Sequence, residues 1–341
     1  MEEKYFAAVN SSRGFISYYP ELFGSAQRVF IIKGGPGTGK SYFMRRVGRY
    51  AEERGAAVRY IYCSSDPSSL DGIVIEDRIA LLDGTSPHAV EATLPGARDE
   101  LIDLGRFWNS ERLAAKRETV SRLMNEKSTR YRCAYSALAA AGELDAAALS
   151  LALPCLDGKK LKLAAERYLR HIPNGKGFER SNLAVSSLGM GGAVRFSTLE
   201  DRADFAVSVS DELGLGHVFL EALVKEAEQK KLKIRVSHDP LCPHKADAVE
   251  ICDTSTVFYI SEADHGRRVN MKRFILPEAT AKIRPEHRLL IACKKNALGA
   301  ALTELAHAAE FHFALEEIYT SCMDFPAKDA FCTEFCRKIF K

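Results

Sequence analysis

The sequence lacks a strong net charge, a membrane-spanning apolar run and a disulfide framework. Its 341 residues include 48 basic and 45 acidic residues, so the net charge of +3 favours neither nucleic acid nor an acidic membrane surface. No apolar run reaches membrane-spanning length, and Met1–Lys4 contains no apolar signal region. The nine cysteines form no C-x-x-C pair, which is typical of reduced thiols. We therefore expect a cytoplasmic protein.

The clearest motif is a glycine-rich loop that follows a short apolar strand. Residues 29–32 have the β-branched and aromatic composition of a strand, and residues 34–41 match the pattern G-x-x-x-x-G-K-[ST]. Apolar residues at helical spacing predict a helix over residues 42–54. Glycines allow consecutive N–H groups to converge on an anion at the start of such a helix. The sequence therefore predicts a phosphate-binding loop of the Walker A type.

Each loop residue has an expected role in binding ATP and Mg²⁺. The amides from Gly37 to Ser41 would hold the phosphates, Lys40 would reach the β- and γ-phosphates, and Ser41 would bind Mg²⁺. The predicted nucleotide contacts are Gly34, Gly35, Pro36, Gly37, Thr38, Gly39, Lys40, Ser41 and Tyr42.

A second apolar run ends in an acid. Residues 79–82 read Ile-Ala-Leu-Leu and are followed by Asp83, as expected of a buried parallel strand that presents a carboxylate beside the phosphates. We interpret this as a Walker B motif in which Asp83 binds Mg²⁺ directly or through water. His88 follows closely, and it either positions the γ-phosphate or only hydrogen-bonds the loop.

A polar loop follows the predicted strand at residues 58–62. Asp66 lies in this loop, at the strand end where α/β sheets bind ligands, so it is a candidate for activating a nucleophile or holding a magnesium-bound water. Ser64, Ser65 and Asp71 are possible further contacts. The alternative is that Asp66 only caps a short helix.

The length favours two domains, and the second half repeats the first imperfectly. We predict an α/β fold with a nucleotide-binding core at residues 1–96, a helical insertion at 97–175 and a second half at 178–341. The apolar face of the last helix is expected to be core. Residues 210–217 lie where the repeat places the phosphate loop, but Gly216 and His217 replace Lys40 and Ser41. We therefore expect no nucleotide in the second half.

Two further groups of residues have a functional and a plain interpretation. Four arginines are either arginine fingers or ordinary surface cations: Arg98, Arg267, Arg268 and Arg273. Cys332 and Cys336 share a helix face and either bind a metal with Cys322 or are ordinary buried thiols.

Four motifs in the chain together resemble those of a known protein family; they lie at residues 33–41, 63–67, 82–88 and 95–96. In this order, the motifs resemble those of a family of bacterial tandem P-loop ATPases. The resemblance implies a three-layer P-loop NTPase sandwich with a mainly parallel sheet, duplicated, and with a helical insertion between the halves. It also implies a second Walker A loop, from which residues 210–217 depart.

Three functions follow from these motifs. The first is Mg²⁺-dependent ATP hydrolysis, with Lys40, Asp66 and Asp83 as the catalytic residues. The second is a kinase in which Asp66 deprotonates a hydroxyl of a small molecule or nucleotide. The third is a non-catalytic protein that binds a protein partner under control of ATP, since Gly84 stands where a water-activating glutamate is expected.

Overall fold

The protein has an α/β fold with two mixed, mostly parallel sheets. The computed structural model describes residues 3–86, 89–262 and 266–340. The first half contains β1 (Glu3–Phe6), β2 (Ala8–Ser11), β3 (Gly14–Ser17), α1 (Tyr19–Phe23), β4 (Arg28–Lys33), α2 (Lys40–Glu52), β5 (Val58–Tyr62), β6 (Leu70–Ile75), β7 (Ile79–Asp83) and β8 (Asp99–Asp103). It continues with α3 (Ser110–Ala115), α4 (Arg117–Ala152) and α5 (Gly158–Leu169).

The second half has a similar series of elements. It contains β9 (Glu179–Leu183), β10 (Ser186–Gly189), β11 (Gly192–Arg195), α6 (Thr198–Arg202), β12 (Phe205–Val209), α7 (Gly216–Gln229), β13 (Lys233–His238), β14 (Ala246–Ile251), β15 (Thr256–Ile260) and β16 (Arg267–Val269). It ends with the long helix α8 (Pro277–Thr320) and with α9 (Phe325–Ile339).

The two six-stranded sheets share one strand order and one pattern of directions. The first runs β1-β5-β6-β7-β4-β8, and the second runs β9-β13-β14-β15-β12-β16. In each sheet the third strand is antiparallel to both neighbours and the other pairs are parallel. The loops after β4 and β12 therefore hold the same position in their sheets.

The register of the first sheet brings the two predicted motifs together. A turn with positive φ at Glu76 and Asp77 reverses the chain between β6 and β7, so that β7 lies parallel to β4. In that pairing Ile32 lies opposite Asp83. The glycine-rich loop begins two residues after Ile32, so Asp83 lies at its base.

Helices α4 and α8 form an antiparallel pair that connects the two sheets. Arg130 of α4 lies 3.2 Å from Glu304 of α8, and Asp145, further along α4, lies 2.9 Å from Lys294, earlier in α8. At one end of the pair, Trp108 forms a β-bridge with Met323, and at the other end Leu156 forms one with Ile275.

The helices that follow this pair are exchanged between the halves. Helix α9 comes from the end of the chain but packs against α2, and its buried face belongs to the core of the first sheet. Helix α5 comes from the first half but packs against α7 in the core of the second sheet. The apolar face predicted near the C-terminus is core, as Phe335 shows with 6% exposure. This face completes the core of the first sheet and not that of the second.

The region expected to be a helical insertion is not helical throughout. It begins with strand β8, which pairs with β4 at the edge of the first sheet. Asp99 starts the strand, and its carboxylate accepts hydrogen bonds from the amides of Thr93 and Leu94. Only Ile102 and Asp99 of the strand are buried, so its sequence has little of the apolar pattern of a strand. The α-helices of this region start only at Ser110, and the long helix α4 starts at Arg117.

One helical segment has the length and composition of a membrane span. Among the described residues this is Arg117–Cys155, with a mean hydropathy of 1.4 in its most apolar window, of which 28% is buried. The segment carries Asp145, which pairs with Lys245 and Lys294, and it packs along α8. A single helix of this kind is weak evidence for a membrane protein.

Candidate functional site

The candidate site is built on the glycine-rich loop between β4 and α2. Gly37 has a φ of +68° and Gly39 a φ of +80°, a left-handed conformation that side chains with a Cβ disfavour. Gly39 is also the N-cap of α2. Thr38 is buried, and its hydroxyl donates to the carbonyl of Gly35 at 2.9 Å. The loop therefore curls over the N-terminus of α2, where free N–H groups favour an anion.

Lys40 folds back into the loop. Its Nζ donates to the carbonyl oxygens of Gly34 at 2.8 Å and Gly35 at 2.9 Å, and it lies 3.4 Å from Oδ2 of Asp83. The Lys40 side chain is only 12% exposed. A buried ammonium is costly unless it is paired, so these three oxygens stabilise it.

Asp83 lies at the end of β7, beside the loop. Burial raises the pKa of its carboxyl group, while the charge of Lys40 and the hydroxyl of Thr85 act in the opposite direction. Its Oδ1 accepts hydrogen bonds from the amide of Thr85 at 2.8 Å and from the hydroxyl of Thr85 at 2.5 Å. Oδ2 faces Lys40, so the carboxylate is held in one orientation.

Ser41 and Asp66 are held by the loop between β5 and β6. The hydroxyl of Ser41 accepts a hydrogen bond from the amide of Leu70 at 3.0 Å. The carboxylate of Asp66 accepts hydrogen bonds from the amide of Ser68 at 3.0 Å and from its hydroxyl at 2.7 Å. Asp66 therefore caps a turn, and residues 63–69 form no helix. The carboxylate still lies close enough to α8 to raise the pKa of Glu316.

The other predicted contacts in this loop have different neighbours. The carbonyl of Ser64 accepts a hydrogen bond from the hydroxyl of Ser187 at 2.8 Å. The hydroxyl of Ser65 accepts one from Tyr131 of α4 at 2.9 Å. Asp71 is buried within β6. Ser64 and Ser65 thus connect the loop to α4 and to the second half, which the sequence did not predict.

Residues 316–328, here called the cap segment, cover the loop with the end of α8 and the start of α9. The hydroxyl of Thr320 donates to the carbonyl of Gly37 at 3.2 Å. A Cβ on Gly37 would lie 2.5 Å from the carbonyl oxygen of Glu316, and one on Gly35 would lie 3.1 Å from the ring of Tyr319. The glycines therefore allow the cap segment to approach the loop backbone.

Glu316 places a carboxylate over this loop. Burial raises the pKa of its carboxyl group, and the charge of Asp66 adds to this, whereas a hydrogen bond from the amide of Gly37 lowers it. That amide is one of those expected to bind phosphate. Glu316 therefore places its carboxyl group beside the amide of Gly37.

Helices α4 and α8 add two basic side chains above the same site. Burial lowers the pKa of Lys127, while the charge of Glu316 acts in the opposite direction. Burial and the charge of Lys127 lower the pKa of His312 to about 4, so this imidazole is neutral at pH 7. His312 Nε2 lies 3.6 Å from a carboxylate oxygen of Glu316.

Sequence reasoning missed Lys127, His312, Glu316 and the buried Lys328 of α9. These residues lie far from the loop in sequence, and none stands at a spacing that a motif defines. Only the packing of α8 and α9 against the first half brings them together.

The proposed arginine fingers are not grouped at this site. Arg98 pairs with Asp99 at 2.7 Å, at the start of β8 and so at the opposite end of the sheet from the loop. The guanidinium of Arg267 lies over the ring of Phe205 in the second sheet. Arg268 lies on the same strand, β16, and Arg273 in the turn after it. His88 lies outside the described residues.

The loop after β12 has an anion of its own. The carboxylate of Asp211 accepts a hydrogen bond from the amide of Gly216 at 2.8 Å, at the first residue of α7. Nδ1 of His217 lies 2.9 Å from the carbonyl of Gly214, and burial is the main cause that lowers the pKa of His217 to about 4. No lysine follows the glycine here, as Lys40 does in the first loop.

The oxygen atoms beside the first loop are of the type that binds magnesium. The hydroxyl of Ser41 and the carboxylate of Asp83 are hard donors, and Mg²⁺ is commonly held by one or two protein oxygens together with phosphates and water. Within the described ranges, no group of three or more His, Cys, Asp or Glu side chains is placed to hold a metal ion. Cys322, Cys332 and Cys336 are buried free cysteines.

In comparisons with known proteins, no protein-family model, no curated protein and no solved structure matches this chain at a significant level.

Proposed function

We propose that the protein is an Mg²⁺-dependent ATPase of the P-loop class with a single nucleotide site in its first half. The observation that carries this proposal is the convergence of three groups at the N-terminus of α2. Lys40 lies within hydrogen-bond distance of two loop carbonyls and 3.4 Å from Asp83, while Gly37 and Gly39 give the loop its left-handed turns. The arrangement combines a loop suited to an anion, a cation and a carboxylate suited to a metal.

In this proposal the residues act by positioning and by neutralising charge, as phosphoryl transfer requires. Lys40 leaves the carbonyls of Gly34 and Gly35 and pairs with the terminal phosphates. Ser41 and Asp83 hold Mg²⁺, which would neutralise charge on the phosphate oxygens. We assign to Asp66 the role of orienting the nucleophile. Its charge raises the pKa of Glu316, which lies above the loop.

We further infer that the two halves arose by duplication of one P-loop domain, with a three-layer arrangement in each. The shared strand order of the two sheets supports this inference. The boundaries that we propose remain residues 1–96, 97–175 and 178–341, with α5 and α9 exchanged between the cores. The second half would bind no nucleotide, since Asp211 lies where a phosphate would lie and Lys40 has no counterpart. We propose a cytoplasmic location on the evidence of the sequence.

The first test is ATP binding by the Lys40→Ala variant. Titration calorimetry with MgATP should show one site per chain in the wild type and a loss of affinity of about a hundredfold in the variant, because charge-assisted contacts to phosphate are lost. Arg49→Ala is the matched control, since Arg49 is an exposed cation on the same helix. Equal binding by the wild type and Lys40→Ala would contradict the proposal.

The second test separates the metal site from the phosphate site. Asp83→Asn should bind ATP in EDTA as the wild type does, but Mg²⁺ should no longer strengthen binding or support release of phosphate. A variant that keeps the full response to Mg²⁺ would remove Asp83 from the site. A wild-type protein that transfers phosphate to an added nucleoside, nucleotide or sugar would favour the kinase alternative.

A second candidate function is a nucleotide-controlled interaction protein. The contact of Thr320 with Gly37 favours it, because a ligand in the loop would displace the cap segment. The ring of Trp108 lies 5.5 Å from that of Tyr319 in this segment, so its fluorescence reports the displacement. ATP that changes neither this fluorescence nor proteolysis of residues 97–172 would count against this function.

A further inference from the structure

A buried lysine from the last helix lies beside the phosphate loop. Lys328 is in the first turn of α9, which Asp324 caps by accepting a hydrogen bond from the amide of Ala327 at 3.0 Å. The residue is only 2% exposed. Its Nζ lies 2.8 Å from the position that a Cβ on Gly39 would occupy. The ammonium group therefore reaches the N-cap of α2, where the amides expected to bind phosphate lie.

The charge of Lys328 has little compensation from the chain itself. Its one ion pair in the described part of the chain is with the buried Oδ1 of Asp329, at 3.2 Å, and the same oxygen lies 4.0 Å from Arg46, so Lys328 shares this partner. The rings of Tyr42 and Phe325 lie 4.6 Å and 4.8 Å from Nζ. Burying an ammonium group is costly unless it is well paired, and cation–π contacts offset only part of that cost. An anion at the loop would complete its pairing.

The core of the second sheet offers an internal comparison. Asp157 caps α5 as Asp324 caps α9, and the residue four positions after Asp157 is Leu161, which is buried. The N-cap of α7, which corresponds to Gly39, is the fully buried Leu215, and both leucines belong to the core of the second sheet. The core of the second sheet therefore has two leucines at the positions that a glycine and a lysine occupy beside the first sheet.

We propose that Lys328 is a second phosphate-binding lysine, which contacts the α/β-phosphate part of the nucleotide at the loop of the first half. The proposal rests on the function proposed above. Loop amides at the helix start hold the α- and β-phosphates, whereas the lysine of the motif reaches the β- and γ-phosphates. Lys40 lies on the Asp83 side of the loop, and Lys328 lies beside Gly39 and Tyr42. The two cations would thus hold the phosphate chain from two sides.

The test compares MgATP, MgADP and adenosine binding to Lys328→Met by titration calorimetry. Replacing a buried ion with an apolar side chain of similar volume is often neutral or stabilising, so this variant should fold. We expect ATP and ADP to bind about tenfold to a hundredfold more weakly, the effect of one charge-assisted hydrogen bond, with adenosine unchanged. Lys328→Arg should restore most of the affinity. Lys338→Ala, at an exposed lysine of the same helix, should bind as the wild type.

A second variant separates charge from packing. Asp329→Asn removes the carboxylate that pairs with Lys328, so it should bind ATP at least as tightly as the wild type. Weaker binding by Asp329→Asn, or binding by Lys328→Met within about twofold of the wild type, would overturn the proposal. If Lys40→Ala loses ATP and Lys328→Met does not, only the role of Lys328 fails. If wild type and Lys40→Ala bind alike, the proposed function itself fails.

Discussion

Phe335→Ala tests whether α9 is part of the first core. The ring of Phe335 is nearly buried, with its centroid 4.9 Å from that of Phe30 in β4 and 5.3 Å from that of Phe43 in α2. These are the strand and the helix on either side of the glycine-rich loop. The substitution therefore opens a cavity behind the proposed nucleotide site, although residue 335 belongs to the second half of the chain.

The expected cost follows from the size of that cavity. Truncation of a buried phenylalanine to alanine typically lowers the free energy of unfolding by about 3–5 kcal/mol, because both the transfer free energy and the contacts of the cavity walls are lost. A typical domain has a total stability of only about 5–15 kcal/mol, so this loss is a large fraction of it. Phe313 is a matched control, because it is a phenylalanine of α8 with 52% exposure. Phe313→Ala should cost less than about 0.5 kcal/mol.

The assay is urea denaturation followed by far-UV circular dichroism and by tryptophan fluorescence. Trp108 is the only tryptophan in the chain and forms a bridge with Met323, between α8 and α9, so its signal reports on this junction. Both signals should move to lower urea for Phe335→Ala. The exchange of α9 would be refuted if Phe335→Ala lost no more stability than Phe313→Ala.

Two further predictions rest on carboxylates that the helix pair holds. Burial alone would raise the pKa of Asp145, but hydrogen bonds from Lys245 and Lys294 outweigh it and lower the pKa to about 2. Asp145 thus contributes about 2 kcal/mol of stability above its unfolded pKa of about 3.9, and this is lost as the pH falls through about 2. Asp145→Asn should lose at least this much at pH 7 in urea denaturation, with the gap to wild type closing in acid; a gap that persists at low pH would contradict this. The pKa of Glu316 is raised mainly by burial, and the residue faces Asp66, Lys40, Lys127 and His312. Above that pKa the Glu316 carboxylate is negative and opposes the binding of phosphate, and as the pH falls it is protonated and loses this charge. ATP should therefore bind more tightly to the wild type as the pH falls through that pKa, and above it Glu316→Gln should bind more tightly than the wild type, with a flatter profile. Parallel profiles for the two proteins, measured by calorimetry, would exclude this effect.

Local chemistry made the elements around the loop predictable from the sequence. The apolar run at residues 29–32 lies in β4, and α2 begins at Lys40, directly after the glycines. Asp83 ends β7 as the apolar run before it indicated. In each case the signal lies within a short window, where side-chain period and turn residues decide the structure.

The partners of these elements were not predictable in the same way. A helical apolar period shows that one face is buried, but it does not identify the surface that buries it. The face that contains Phe335 was therefore identified as core, yet the sheet that it covers is the first one. Lys328 and Glu316 carry no local signal, because their importance arises only from where α8 ends. The sequence pattern does not predict strand β8, because Asp99 and Asp103 give it a polar composition.

The path of α8 gives the second half a role that requires no nucleotide there. This helix starts beside the bridge between Leu156 and Ile275, at the second sheet, and ends with Thr320 on the glycine-rich loop of the first. Its 44 residues correspond to about 66 Å of continuous helix. Displacement of Thr320 by a phosphate in the loop would therefore disturb at least the last turn of α8. The second half thus completes the core of the first sheet through α9 and covers the glycine-rich loop through α8.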